Sequence, residues 1–230
     1  MLQALKHRGP DSTGYAVYGA ASEGDYIMRF ILAEQDAMRK SFDMKDKVAA
    51  RLEEVEKRLA LHGAVIKDRE HSTAYALRYV IQHEGDTEVL ARHIEDVDGV
   101  EILSLGSSLE LIKDLGDASV VSAQYGLMDF SGTHGIGHTR MATESDVDIR
   151  SAHPYWAFPY NDVSVVHNGQ ITNYWLMRRD MEHKGHRFMS SCDSEVLAVY
   201  TAHNMSIGMT LEGSLRASIT DIDGVFTLSL

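Results

Sequence analysis

His138-Thr139-Arg140-Met141-Ala142-Thr143 is the stretch from which the chain is best read. It closes a run, Gly135-Ile136-Gly137-His138-Thr139-Arg140, that predicts a strand ending on a charged side chain. Downstream, Val163-Ser164-Val165-Val166-His167 predicts a second strand, rich in β-branched residues. It runs into Asn168-Gly169, a turn dipeptide. Thr172 or Asn173 caps a predicted helix through Met181 that stops at Gly185. Asp193-Ser194-Glu195 opens another, in which Val196, Val199, Tyr200 and His203 follow helical spacing. Thr210 caps a third, with Leu211, Leu215 and Ile219 on one face, and Gly224 to Leu230 predicts a strand.

Working outward to the first half, Arg8-Gly9-Pro10-Asp11-Ser12-Thr13-Gly14 is a turn cluster. Gly14 to Gly19 and Tyr26 to Leu32 predict strands, and Leu2 to Leu5 reads as the end of a helix. From Ala33 to Leu61 the pattern is helical: Val48, Leu52, Val55 and Leu59 make one apolar stripe, and His62-Gly63 supplies the stop. Thr73 to Ile81 alternates as a strand, Asp86 to Asp96 predicts a helix and Val100 to Leu105 a strand. Ser107 to Lys113 predicts a short helix with a serine cap. This β-α-β-α series, from about residue 70 to 116, would form a small inserted lobe. The class is therefore mixed α and β.

Composition narrows the function. The formal net charge of -12 argues against a phosphate-binding nucleic-acid protein, which would carry a basic patch. No apolar run approaches the roughly 20 residues of a membrane span, and Met1 to Arg8 is no signal peptide. Cys192 is the one cysteine, so neither an intrachain disulfide nor a Cys-rich zinc site is available, and a reduced, cytoplasmic setting is expected. His134 and His138 are separated by Gly135 and Gly137, which does not suit a helical metal-ligand pair, and no metal is expected.

The Arg8–Gly14 cluster, Gly137 to Thr143, Ala152-His153-Pro154, His167-Asn168-Gly169 and Asp193-Ser194-Glu195 occur in the order and rough spacing of class II glutamine amidotransferase domains. These are N-terminal nucleophile hydrolases. The chain most resembles the amidotransferase subunits of glutamate synthase-like and N-methylglutamate synthase-like enzymes, outside residues about 20–125. The resemblance implies an α+β fold, a four-layer αββα sandwich with its N-terminal strand missing. It implies one domain over 1–230, incomplete at both ends, with a family-variable insertion at about 20–125.

The substrate it implies is glutamine. Arg140 would clamp the α-carboxylate through its planar fork, and Asp193 would pair with the α-ammonium. Asn168 and the Gly169 N–H would form the oxyanion hole. Arg8 and Gly9 would lie beside the nucleophile and, with His153, in the substrate pocket. Taken singly, Arg140 reads as a surface ion pair, Asn168-Gly169 as a hairpin turn and Asp193 as a helix cap; the joint pattern outweighs these readings. His138, His153 and His167 read as structural hydrogen-bonders rather than catalytic bases. Met141 departs from the tryptophan of several family branches.

The family's nucleophile is an N-terminal cysteine whose own α-amine, with a pKa of about 7.7–8.0, is the general base. The chain starts Met1-Leu2 and holds no such residue. Cys192 carries a backbone amide in place of an α-amine and reads as a buried or pocket-wall thiol. The resemblance thus implies an enzyme, whereas the chain as it stands is expected to be inactive alone. Two functions stay open. One is a glutaminase that makes glutamate and ammonia for a partner synthase carrying flavin and iron–sulfur centres, itself binding no cofactor. The other is an inactive glutamine-binding or assembly subunit.

Overall fold

The computed structural model describes residues 1–7, 9–21, 23–33, 38, 43–141 and 147–230. The strands are β1 (Ser12–Tyr18), β2 (Asp25–Ile31), β3 (Val65–His71), β4 (Ala76–Gln82), β5 (Glu101–Gly106), β6 (Leu109–Leu115), β7 (His134–Arg140), β8 (Tyr155–Trp156), β9 (Ser164–Ile171) and β10 (Gly224–Ser229). The helices are α1 (Met44–Leu61), α2 (Thr87–Glu95), α3 (Ala118–Gln124), α4 (Tyr174–His183), α5 (Glu195–Ser206) and α6 (Leu211–Asp221). The strands form three antiparallel sheets among the described residues, ordered β6-β1-β7, β10-β9-β8 and β3-β4-β2-β5.

The four-stranded sheet is covered by α1 and α2. Val55 and Leu59 of α1 and Leu90 and Ile94 of α2 pack on Phe30, Tyr79 and Leu105. Tyr75, Leu77, Tyr79 and Ile81 are buried as their alternation requires. A second core joins α4 and α5 to β9 through Met177, Val196, Leu197 and Val165. A third lies between the β6-β1-β7 sheet and α3, with Ala16, Leu111, Ile112 and Val121.

Three readings need correction. Ser107 to Lys113 is not a helix: Leu109 to Leu115 is β6, paired with β1 in the register Leu111↔Ala16. Short apolar runs buried on both sides carry no distinguishing period. Ser108 instead donates from its backbone N–H to Asp162 Oδ1 at 2.8 Å, as does Leu109, fixing the turn that carries the chain from β5 in one sheet to β6 in another. The order in that region is therefore β-α-β-β. Asn168-Gly169 does not end its strand, because β9 continues to Ile171 against β10. Ala33 lies outside a helix and α1 begins at Met44; residues 34–37 and 39–42 of the expected helix lie outside the described residues. β3 left no pattern to read because its side chains are almost all exposed.

Candidate active site

β7 and β9 place the site between two sheets. In β7 the pleat sends His138 and Arg140 to one face, opposite Gly14 and Ser12 of β1. Both are buried, at 9% and 7% exposure, so Arg140 is no surface ion pair. His138 Nε2 lies 2.8 Å from Asn168 Oδ1, bridging β7 to β9. The next residue, Gly169, has φ +142°, and a Cβ there would lie 2.2 Å from the Val225 carbonyl oxygen on β10. Glycine lets β9 bring its backbone against β10 while Asn168 and Gly169 face the solvent side of the cleft.

Asp193 precedes α5, but its side chain does not cap that helix. Oδ2 accepts the Ile171 N–H at 3.0 Å, which ties the carboxylate to the end of β9. Ser194 Oγ donates to Asp193 Oδ1 at 3.2 Å and lies 2.6 Å from His167 Nδ1. A hydroxyl has one hydrogen, so with that hydrogen on Asp193 the ring donates from Nδ1. Cys192 is buried, its sulfur 3.8 Å from Asp193 Oδ1.

These residues border one open cleft of about 870 Å³, ample for an amino acid. Its lining includes Arg140, His153, Asn168, Gly169, Cys192 and Asp193, with Met141 and Trp175 exposed at the rim. Five of the seven expected substrate and oxyanion positions, Arg140, His153, Asn168, Gly169 and Asp193, thus share a single cleft, although they are spread along the chain. Gly9 does not line it. Gly9 packs behind, where a Cβ would lie 2.5 Å from the Thr139 carbonyl carbon. Arg8 lies outside the described residues.

Three imidazoles stand in the cleft wall, with ring centroids 4.2 Å apart for His138–His153 and 6.4 Å for His153–His167. Burial lowers the pKa of each, most strongly for His153, and keeps the rings neutral at pH 7. Neutral imidazole is a hydrogen-bonding group whose tautomer is set by its partners. His138 and His167 have such partners, whereas both buried ring nitrogens of His153 have none among the described residues, so the expected hydrogen-bonding role does not hold for His153. The sequence offered no sign of the His138–Asn168 or Ser194–His167 contacts. Among the described residues no cluster of three or more His, Cys, Asp or Glu is placed to hold a metal ion.

A smaller cavity of about 80 Å³ lies on the other side of Tyr155, bordered by Glu95, Glu101, Lys113, Arg150 and Glu195. The Tyr155 ring meets His153 edge-on at 5.1 Å. Glu101 pairs with Arg150 at 3.0 Å, and Glu195 accepts the Met189 and Ser190 N–H groups at 2.7 Å each. Burial, with Glu101 nearby, pushes the Glu95 carboxyl up to about 7. Most of these charges have partners within the protein, so the cavity reads as a buried polar network and the larger cleft as the site.

A family model for a glutamine amidotransferase domain matches residues 138–230. A Methanothermobacter thermautotrophicus protein bearing the glutamine amidotransferase name is 37% identical over 99% of this chain and 72% of its own length. The chain belongs to the glutamine amidotransferase family. The glutamine amidotransferase-like protein GlxB of Rhizobium meliloti is 33% identical over 99% of this amidotransferase chain and 70% of its own. Among solved structures, the allosteric regulatory enzyme of purine biosynthesis aligns with 99% of this chain and 30% of its own, at a TM-score of 0.51 and 17% identity. That likeness is one of fold. No described helix of this amidotransferase is long and apolar enough to cross a membrane.

Proposed function

We propose that the chain is the glutamine-holding part of a class II glutamine amidotransferase, an N-terminal nucleophile hydrolase built as a four-layer αββα sandwich. Residues 1–230 form a single domain of this kind, with its variable insertion at about 20–125. It works in the cytoplasm and hydrolyses glutamine to glutamate and ammonia for a partner synthase of the glutamate synthase type, which carries the flavin and iron–sulfur centres. Arg140 takes the α-carboxylate, Asp193 the α-ammonium, and Asn168 with the Gly169 N–H the oxyanion. The reacting thiolate in this class is that of an N-terminal cysteine. It attacks the side-chain amide and the tetrahedral intermediate expels ammonia. The resulting thioester is opened by water to give glutamate.

The observation that carries this reading is the convergence of Arg140, Asn168, Gly169 and Asp193 on one cleft. Calorimetric titration of the 230-residue chain with L-glutamine tests it. Removing one partner of a buried charge pair costs about 2–5 kcal/mol, so Arg140→Ala and Asp193→Ala should each weaken binding by about 30-fold or more. Unchanged affinity in both variants would reject the assignment.

One observation favours a non-hydrolytic role for residues 1–230 by themselves. The single cysteine is buried beside Asp193 and has no α-amine. The chain should therefore bind glutamine without releasing ammonia. Ammonia release that disappears in Cys192→Ala would overturn this view of Cys192.

A further inference from the structure

We propose that His138 is a positioning residue: its ring, as the Nε2–H tautomer, selects which end of the Asn168 side-chain amide faces the cleft. This rests on the oxyanion reading of Asn168. A primary amide is two-faced, with an acceptor oxygen and a donor nitrogen of nearly equal size. Only the nitrogen stabilises an oxyanion; with the oxygen turned outward the same residue would repel one. Local sequence cannot set this choice. The structure settles it through His138, whose Nε2 lies 2.8 Å from Asn168 Oδ1.

The bond is N–H to carbonyl oxygen, so Nε2 must carry the hydrogen, leaving Nδ1 bare. Nδ1 is buried and has no hydrogen-bond partner, in keeping with that tautomer. The ring is held in place, being 9% exposed and packed on His153 at 4.2 Å. With Oδ1 anchored, Nδ2 is the arm left for a ligand, on a residue exposed to the cleft. His138 thereby acts on the reacting atoms only through Asn168.

The test uses the 230-residue chain and two ligands that differ at one end. L-Glutamate presents a γ-carboxylate, which accepts only. L-Glutamine presents an amide, which can also donate to an outward Oδ1. Dissociation constants are measured by calorimetry for the wild type, His138→Phe, His138→Gln and Asn168→Ala, and the His138 tautomer by long-range 15N–1H correlation. His138→Phe frees the amide to turn. It should weaken glutamate by about tenfold and glutamine by clearly less. His138→Gln keeps a donor and should retain the wild-type ratio of the two constants. In Asn168→Ala, adding His138→Phe should no longer change that ratio.

An Nδ1–H tautomer, or equal loss of both ligands in His138→Phe with no recovery in His138→Gln, overturns the proposal while leaving the glutamine reading intact. Unchanged binding in Arg140→Ala and Asp193→Ala overturns the glutamine reading instead. A wild-type chain that binds neither ligand overturns both.

Discussion

At Gly169 the backbone is in a region that side chains rarely adopt, and the space for a Cβ is taken by the Val225 carbonyl and Phe226 of β10. Gly169→Ala must therefore shift β10 or distort β9. It is expected to destabilise the chain by about 1–3 kcal/mol, read from urea unfolding, and to weaken glutamine binding. An unchanged unfolding midpoint would show that β10 yields freely. Asn168 and Arg140 should separate by kinetics in a form of the protein carrying the N-terminal cysteine. In the proposed role, the Arg140 clamp would be made in ground state and transition state alike, so Arg140→Ala is expected to raise KM. In the proposed role, Asn168 would meet negative charge only as it develops, so Asn168→Ala is expected to lower kcat by about 10²–10³ with KM little changed. Intact kcat in the second variant, with intact KM in the first, would refute both roles.

Elements meet with a pH-dependent consequence where α2 ends against β5. Glu95, in the last turn of α2, is raised to about 7 by burial first and by Glu101 second. An acid with a raised folded pKa favours the folded state in its protonated form. Its stabilising contribution is complete below the ordinary value of 4.5 and is lost as pH rises through about 7. Glu95→Gln keeps the neutral shape at all pH values. It should be more stable than wild type at pH 8 by about 1–3 kcal/mol, the difference shrinking toward pH 5. Thermal unfolding at the two pH values checks this; equal differences at both would contradict it.

On the scale of the whole molecule, the four-stranded sheet is fastened to the β6-β1-β7 sheet by charge. Glu110 of β6 binds Arg29 of β2 at 2.7 Å and Arg78 of β4 at 2.8 Å, with Glu110 and Arg29 almost fully buried. Tyr75, just ahead of β4, adds a second fastening by donating to the Asp114 carboxylate of β6 at 2.6 Å. Removing one member of a buried ion network strands the others. Glu110→Ala is expected to cost about 3–5 kcal/mol, measured as loss of thermal stability of the entire chain. A loss under about 1 kcal/mol would mean that the sheets are held by apolar packing alone.

Wherever one period dominates, the sequence by itself determined the element: β4 alternates, α1 repeats its apolar stripe, and Thr210 caps α6 through the Gly213 N–H. It also ordered the motifs whose side chains meet in the cleft, because residue type and spacing are local quantities. Tertiary structure decided what depends on partners far along the chain. β6 is a strand because β1 pairs with it and because Arg29, 81 residues away, neutralises Glu110. Asn168-Gly169 runs on as strand because β10 arrives to pair with it. The Asn168 amide takes its orientation from His138, thirty residues earlier, since a two-faced group is set only by the hydrogen-bond partner that packing brings to it.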